Sequence, residues 1–271
     1  MAISKGIFKM SGSFGTASCY TLPGSDQMII RTKGGPSKRR MKVGPEFAVV
    51  RKHQVEWSAC VLFSQGLRSA VGEVYRLADY NVSPKWNGLG KNIIKTDTQR
   101  LLGERSLMIS AYRDELSGFN LNKNYAFNAV LGVAPQVNID RDSRKATVVV
   151  PRINTANDIL NVRKLPYFRL IVTLGIISDL HFVPDGQFKK YESEMKYANG
   201  LSMSTQTDWH STRDIIDEQD MSVQLEEDFD SYICEQTTFV LSMGIEFGDV
   251  GFGGKIEGVK RAGAGKILLV K

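Results

Sequence analysis

The spacing of hydrophobic positions changes twice along the chain and divides it into three zones. Residues 13–21 alternate between the side chains at 14, 16, 18 and 20 on one face and the small Gly15, Ala17 and Cys19 on the other, which is typical of a β-strand, and residues 27–33 predict a second strand that contains Met28, Ile29 and Ile30. Residues 45–116 place apolar side chains three or four positions apart, as on one stripe of a helix. From about residue 119 onward the chain consists of strand-like runs. The pattern predicts an α+β fold.

The first zone, residues 1–43, is predicted to be a β-hairpin arm. Its two strands are joined by a segment containing Pro23-Gly24, a pair that favours a type II turn. Residues 34–40 are rich in glycine and in basic side chains, and they predict a flexible connector. Because an isolated hairpin is only marginally stable in water, we expect the arm to pack on its own body or on a neighbouring subunit.

The second zone, residues 44–118, is predicted to be a helical hairpin. Pro45 suits the first turn of its first helix, and Gly66 and Gly72 leave open whether this is one helix or two abutting ones. Ser83 and Pro84 restart a helix as cap and first residue. We expect that second helix to continue past residue 97.

The third zone, residues 119–271, predicts an antiparallel β-sandwich of the immunoglobulin-like (Ig-like) kind. No helical crossover separates its strands, which argues against a βαβ fold. The glycines at 248–254 predict a loop, and the stretch 208–230 is expected to be an insertion on the sandwich or a segment covering it. The predicted strands are residues 134–140, 145–152, 167–178, 237–247 and 266–270.

Composition narrows the class of protein. With 271 residues, 42% hydrophobic and 24% charged, the chain is long and apolar enough to bury a large core. Its apolar runs fall short of the roughly 20 residues that a membrane helix needs, and no secretory signal is evident. We therefore expect a cytoplasmic protein without a membrane partner. Cys19, Cys60 and Cys234 are odd in number and widely spaced, so we expect them to be reduced and structural.

Basic and acidic residues are concentrated in different segments of the chain. Residues 1–52 carry ten Lys or Arg against two acidic residues, a net charge of +8. Residues 208–235 carry ten Asp or Glu against Arg213 alone, a net charge of −9. Such a chain can bind a polyanion, or it can bind the acidic face of another copy of itself.

Two groups of residues are therefore candidates for an assembly interface. The basic group is Arg31, Lys33, Lys38, Arg39, Arg40 and Lys42. The acidic group is Asp214, Asp217, Glu218, Asp220, Glu226, Glu227, Asp228 and Asp230.

Motifs for catalysis or cofactor binding are not matched. Gly265-Lys266 fails the phosphate-binding loop pattern because Ile267 stands where Ser or Thr is required. The three histidines are isolated, and Asp208, His210 and Ser211 are adjacent in sequence without any sign of triad geometry. We predict no catalytic, cofactor-binding or metal-binding residues, and we do not expect an enzyme.

Several segments carry a resemblance to other proteins. They are Lys5-Gly6-Ile7, Ser11-Gly12-Ser13-Phe14-Gly15, Tyr20, Gly24-Ser25-Asp26, Ile29-Ile30-Arg31-Thr32-Lys33-Gly34-Gly35-Pro36-Ser37 and Leu241-Ser242-Met243-Gly244-Ile245-Glu246-Phe247-Gly248. The chain resembles uncharacterised Bacteroidota proteins of similar length, over most of its extent. The resemblance implies a bacterial protein without a signal, built from a hairpin arm, helices and a β-sandwich. It implies no activity and assigns no functional residues.

Three functional hypotheses remain open at this point. The first is a structural subunit that self-assembles into a filament, tube or shell, with the basic arm of one copy on the acidic surface of the next. The second is a nucleic-acid-associated or phage-like structural protein whose arm follows a phosphate backbone. The third is a carbohydrate-active enzyme that uses carboxylates near residues 208–230, such as Glu226 and Asp228.

Overall fold

A computed structural model describes residues 2–4, 11–22, 27–184, 191–195, 198–226 and 233–271. The chain divides into two units, Met1–Arg51 and Lys52–Lys271. The division falls within a long helix, Ala48–Val71, so a single secondary-structure element belongs to both units.

The first unit contains a four-stranded antiparallel sheet. Its strands are β1 (Ala2–Ser4), β2 (Gly12–Phe14), β3 (Ala17–Thr21) and β4 (Met28–Thr32), in the order β1-β4-β3-β2. Strands β3 and β4 pair antiparallel from Ala17↔Thr32 to Thr21↔Met28, which confirms the predicted hairpin. The predicted turn around Pro23-Gly24 lies outside the described residues.

The single strand predicted over residues 13–21 is wrong. Gly15 has a left-handed backbone (φ +55°), a conformation that costs glycine little, and it turns the chain back on itself. Gly12–Phe14 therefore pairs with Ala17–Cys19 as a second, tighter hairpin.

The predicted flexible connector is also wrong in its second half. Residues Lys38–Val43 form helix α1, and the side chain of Ser37 caps it by accepting a hydrogen bond from the backbone N–H of Arg40 at 3.2 Å. At the other end, the guanidinium of Arg51 donates to the carbonyls of Met41 and Gly44. The basic residues of this segment are thus presented by an ordered helix.

The predicted pair of helices is present. Helix α2 (Ala48–Val71) continues through Gly66 and ends at Gly72, whose φ of +53° is left-handed. A 3-10 helix, Gly72–Leu77, follows, and helix α3 (Ser83–Ile94) begins where it was predicted. The predicted cap is wrong, because Ser83 is the first helical residue and the capping position is Val82, which makes no side-chain hydrogen bond to the helix. Helix α3 stops before Asp97, so the expected continuation is wrong. The Asp97 carboxylate instead accepts the backbone N–H groups of Gln99, Arg100 and Ser106 and holds the next loop.

The central sheet is antiparallel, with the order β11-β8-β15-β16 and a short strand, β12, also paired to β8. The three long strands confirm the predictions for residues 167–178, 237–247 and 266–270. The glycine-rich loop is shorter than expected, because β15 runs to Val250 and only a 3-10 turn, Phe252–Gly254, separates it from β16. The strands are β8 (Tyr167–Ile177), β11 (Ser202–Gln206), β12 (His210–Ser211), β15 (Thr238–Val250) and β16 (Ile256–Val270).

A smaller antiparallel sheet has the order β14-β6-β5. Strands β5 (Gln136–Asp140) and β6 (Lys145–Val150) form the predicted hairpin. The third strand, β14 (Gln219–Gln224), comes from the acidic stretch. That stretch is therefore part of the sandwich, not an insertion on it or a cover over it. Its residues alternate, with Met221 and Val223 buried and Asp220 and Ser222 exposed, and this alternation is the signature of a half-buried strand.

The remaining elements of the described residues are short. Strand β7 (Ile153–Asn154) pairs with β13 (Ile215–Ile216), and β9 (Leu180–Phe182) pairs with β10 (Tyr191–Ser193). The others are helix α4 (Phe127–Val130), helix α5 (Thr155–Asp158) and the 3-10 helices Pro45–Phe47, Ile109–Ala111 and Arg113–Leu116.

The second unit has three layers. Val148 and Met221 of the smaller sheet share one core with Val172 and Leu241 of the central sheet. On its opposite face the central sheet buries other side chains against helices α2 and α3, where Trp86 is fully buried. The α+β fold is confirmed, and the helices share their core with the central sheet. No described helix is long and apolar enough to span a bilayer.

Candidate assembly surfaces

The six predicted basic residues are all exposed, and we call them the basic arm surface. They lie on β4, on the segment that follows it and on helix α1. Their side chains are not equivalent. Arg40 donates from Nε to Glu46 Oε1 at 2.7 Å, and this hydrogen bond lowers the pKa of the Glu46 carboxyl. The Arg31 guanidinium lies 5.2 Å from the centre of the Tyr20 ring.

Four cations of this surface have no ion-pair partner and no aromatic ring contact among the described residues. Within the described ranges, no ion pair involves Lys33, Lys38, Arg39 or Lys42. Lys38, Arg39 and Lys42 lie in the same six-residue helix, so their charges are held close together. An unpaired cluster of cations on an ordered helix is suited to an anionic partner surface.

Five of the predicted acidic residues lie in the described part of the chain. These are Asp214, Asp217, Glu218, Asp220 and Glu226, and we call them the acidic surface. All five are exposed, and none is in an ion pair with another described residue. The other three, Glu227, Asp228 and Asp230, lie outside the described residues.

One residue of the acidic surface, Asp220, lies on an edge strand, and Asp217, Glu218 and Glu226 lie just before and after that strand in the chain. Strand β14 is the edge strand of the smaller sheet, and β11 is the edge strand of the central sheet beside it. Between them runs a groove of about 470 Å³ with mostly polar walls, to which Thr205, Asp208, His210 and Asp220 contribute. Because like charges disfavour cross-strand pairing, carboxylates on this edge oppose its pairing with the same edge of another copy while they attract a cationic surface.

In the described part of the acidic segment, the side chains of Asp208, His210 and Ser211 are not hydrogen-bonded to one another. His210 packs its ring against Phe168 at 5.6 Å between centres, and its Nε2 is buried with no hydrogen-bond partner among the described residues. The Ser211 hydroxyl accepts from the backbone N–H of Arg213. The described residues contain no group of three or more His, Cys, Asp or Glu side chains placed to hold a metal ion.

Three buried carboxylates of the described residues, Glu56, Asp179 and Glu246, escaped the sequence analysis. Glu56 on helix α2 is fully buried and accepts from Lys91 Nζ at 2.9 Å and from the backbone N–H of Gly103 at 3.0 Å, with Arg105 Nε at 3.4 Å. Burial favours its neutral form, but the hydrogen bonds and the two cations outweigh burial and lower its pKa. Its oxygens are used within the protein, so Glu56 is a structural residue.

Asp179 accepts hydrogen bonds from the backbone N–H and the hydroxyl of Ser110. Glu246 is the third of these carboxylates. It accepts from Arg76 and Arg169, each at 2.8 Å. Its partner Arg76 lies 170 positions away in the chain, and no local pattern marks such a pair. Only the pairing of strands and the packing of the helix layer bring these groups together.

Comparison with known proteins does not identify the chain: no protein-family model, curated protein or solved structure matches it.

Proposed function

We propose that the protein is a structural subunit that assembles with copies of itself, the basic arm surface of one copy contacting the acidic surface of the next. The observation that carries the proposal is a pair of exposed surfaces with opposite charge. Among the described residues, the acidic surface has no ion-pair partner, and on the basic arm surface only Arg40 has one, Glu46. Contact between two different patches is heterologous, and such contacts build rings or open helical polymers. A filament, tube or shell is the expected product.

Charge alone does not supply the affinity. Exposed ion pairs contribute roughly 0.2–1 kcal/mol each, so four cations against five carboxylates give orientation and a modest attraction. Apolar side chains near the basic residues can supply the rest: Val43 is 71% exposed and Val49 is 57% exposed. Burying a side chain of this kind contributes roughly 1.5–3 kcal/mol. The proposed assembly interface therefore combines charged and apolar side chains.

A second candidate function is the binding of nucleic acid by the basic arm surface. Lys38, Arg39 and Lys42 on one helix could neutralise several phosphates. We rank it below self-assembly because it assigns no role to the acidic surface.

We also place assembly in the cytoplasm, where free cysteines such as Cys19, Cys60 and Cys234 stay reduced.

The test is charge reversal followed by rescue. One variant carries Lys38→Glu, Arg39→Glu and Lys42→Glu, and the complementary variant carries Asp217→Lys, Glu218→Lys and Asp220→Lys. We expect nuclease-treated wild-type protein to form regular assemblies in negative-stain electron microscopy at low salt. Each variant alone should stay dispersed, because the attraction between its two surfaces is removed. The net charge of the basic arm surface falls from +6 to 0 in the first variant, and that of the acidic surface changes from −5 to +1 in the second. The mixture of both variants should form assemblies again.

A matched control separates the surface from net charge. Lys95→Glu, Arg152→Glu and Lys255→Glu remove the same charge from exposed residues outside the basic arm surface, and this variant should assemble like the wild type. Assemblies that persist in the Lys38–Arg39–Lys42 variant, or dispersed wild-type protein at every salt concentration, would rule the proposal out. Retained nucleic acid, with an affinity that falls steeply as salt rises, would favour the second candidate.

A further inference from the structure

The Lys52–Lys271 unit contains a pocket of about 380 Å³, which is within the range of small-molecule binding sites. Its walls come from segments that are distant in sequence: Asp79, residues 122–130, residues 160–165, and the β15–β16 region at Phe247 and 261–263. None of the residues of the acidic surface lines it. The pocket is therefore a separate candidate site, independent of the assembly proposal.

Much of the pocket lining is apolar. Val130, Leu165 and Phe247 form buried or half-buried parts of the wall, and Leu160 and Val162 are 45% and 52% exposed. Tyr125 also lines the pocket and is 45% exposed. Apolar side chains left open around a concavity favour a ligand with an apolar body, because such a ligand removes them from water.

Most polar groups of the pocket are already used within the protein. The two carboxylate oxygens of Asp79 accept the backbone N–H groups of Lys123 and Asn124, at 2.8 and 3.0 Å. Asn122 donates to the carbonyl of Leu77 and accepts from the N–H of Gly265. The Asn161 side chain both accepts from and donates to the backbone of Leu165. These groups shape the pocket and have little capacity left for a ligand.

Arg163 and Arg261 are different. Both line the pocket and are exposed, and neither is in an ion pair with a described residue. Arg163 uses one nitrogen to donate to the carbonyl of Lys260 at 3.2 Å, which ties its loop to the strand region carrying Arg261. A guanidinium has five N–H donors, so most donors of the two arginines remain for a ligand.

The backbone that presents these arginines is irregular. Along β15 and β16, Glu246 faces Gly263 and Gly248 faces Gly258, so residues 259–262 bulge opposite Phe247. Arg261 lies in this bulge with φ +57°, and Lys164, next to Arg163, has φ +52°. Left-handed backbone is uncommon for residues other than glycine, and bulges frequently aim a side chain at a functional site.

We propose that this pocket binds a small molecule with an apolar body and one anionic group, a carboxylate or a phosphate. The guanidiniums of Arg163 and Arg261 bind the anion, and the apolar wall around Leu160, Val162 and Phe247 covers the body. Arginine suits this role because its planar fork of donors matches both carboxylate and phosphate.

The test compares three probes that share a ring system, using the full chain and isothermal titration calorimetry. They are 1-naphthoate, 1-naphthyl phosphate and the neutral 1-naphthamide. We expect at least one of the anions to bind ten-fold or more tightly than the amide, and the better of the two identifies the anionic group. Equal binding of all three probes, or no binding of any up to about 1 mM, would overturn the proposal.

Variants assign the binding to the two arginines. Arg261→Asn removes the guanidinium and keeps a residue that tolerates left-handed backbone, and Arg163→Gln removes the other. Each should weaken binding of the preferred anion ten-fold or more while leaving 1-naphthamide unchanged. Arg152→Gln, at an exposed arginine that does not line the pocket, is the matched control. Anion binding at wild-type affinity by both folded variants would also overturn the proposal, and circular dichroism verifies their fold.

Discussion

The guanidinium of Arg169 and the carboxylate of Glu246 form an ion pair across adjacent strands, with Nε 2.8 Å from Oε2. The two residues are direct partners in the register of β8 and β15, and their side chains are only 17% and 5% exposed. Arg76 donates to the same oxygen at 2.8 Å. One carboxylate therefore joins the central sheet to the 3-10 helix Gly72–Leu77.

This arrangement predicts the effect of replacing Glu246. Glu246→Ala should lower the free energy of unfolding by about 3 kcal/mol, because it leaves the mostly buried Arg169 without its counter-charge. Urea unfolding at neutral pH measures the change. Glu257→Ala, at an exposed glutamate on the neighbouring strand, should change stability by less than about 0.5 kcal/mol. Equal effects of the two substitutions would contradict the structural role of Glu246.

Contact between the helix layer and the central sheet depends on a glycine. A Cβ atom at Gly175 would clash with the backbone of Ala70, because the carbonyl oxygen, Cα and carbonyl carbon of Ala70 are its three nearest atoms. Gly175→Ala should therefore force α2 away from β8 and destabilise the protein by about 3 kcal/mol. Gly88→Ala is the control, because Gly88 is exposed in helix α3 with no atom within 4 Å of the added Cβ. There alanine should stabilise by roughly 0.5–1 kcal/mol, since it improves helix propensity. Thermal unfolding of both variants tests these expectations. A melting temperature that does not fall in Gly175→Ala, or that falls in Gly88→Ala, would contradict them.

Acid should weaken the loop that follows helix α3. Burial opposes ionisation of Asp97, but hydrogen bonds from the N–H of Ser106, from the Arg100 side chain and from the Gln99 and Arg100 N–H groups outweigh it and lower its pKa to about 2. A carboxyl with a lowered pKa in the folded state stabilises the protein fully above its unfolded pKa, and this contribution is lost as pH falls. The loss should occur from about pH 4 down to pH 2.

The pH dependence can be assigned by substitution. In Asp97→Asn, the free energy of unfolding should be lower at neutral pH and should fall less steeply between about pH 4 and 2. Asp217→Asn, at an exposed carboxylate, should follow the wild-type curve. Parallel curves for Asp97→Asn and the wild type would show that Asp97 does not carry the effect.

The cysteines should differ in reactivity. Burial raises the pKa of the Cys60 thiol to about 11, and the residue is fully buried on helix α2. Cys19 is also buried, whereas Cys234 is exposed. Iodoacetamide at pH 8 should therefore modify Cys234 in the folded protein and reach Cys60 only after unfolding, because the thiolate is the reactive form. Mass spectrometry of peptides locates the label, and rapid labelling of Cys60 in the folded state would contradict its burial.

For most of the long elements, the local sequence was sufficient to predict whether the element is a helix or a strand. The runs at 167–178 and 237–247 predicted strands, and Ser83-Pro84 predicted the start of a helix. These predictions succeeded because each signal depends only on residues that are close together in the sequence. The same reasoning failed at Gly15 and at residues 38–43. There a single left-handed glycine and a serine cap decided the structure, and a composition rich in glycine and basic residues concealed both.

What the sequence determined by itself is the fold class, the approximate strands and helices, and the sorting of basic and acidic residues into separate stretches. Tertiary structure decided that the acidic stretch supplies an edge strand, that Arg40 is paired with Glu46, and that Glu246 meets Arg76 and Arg169. It also brought Arg163 and Arg261 to one pocket from positions almost a hundred residues apart. The physical reason is that periodicity and caps act between near neighbours in the chain. Ion pairs and pockets depend instead on which distant surfaces pack together.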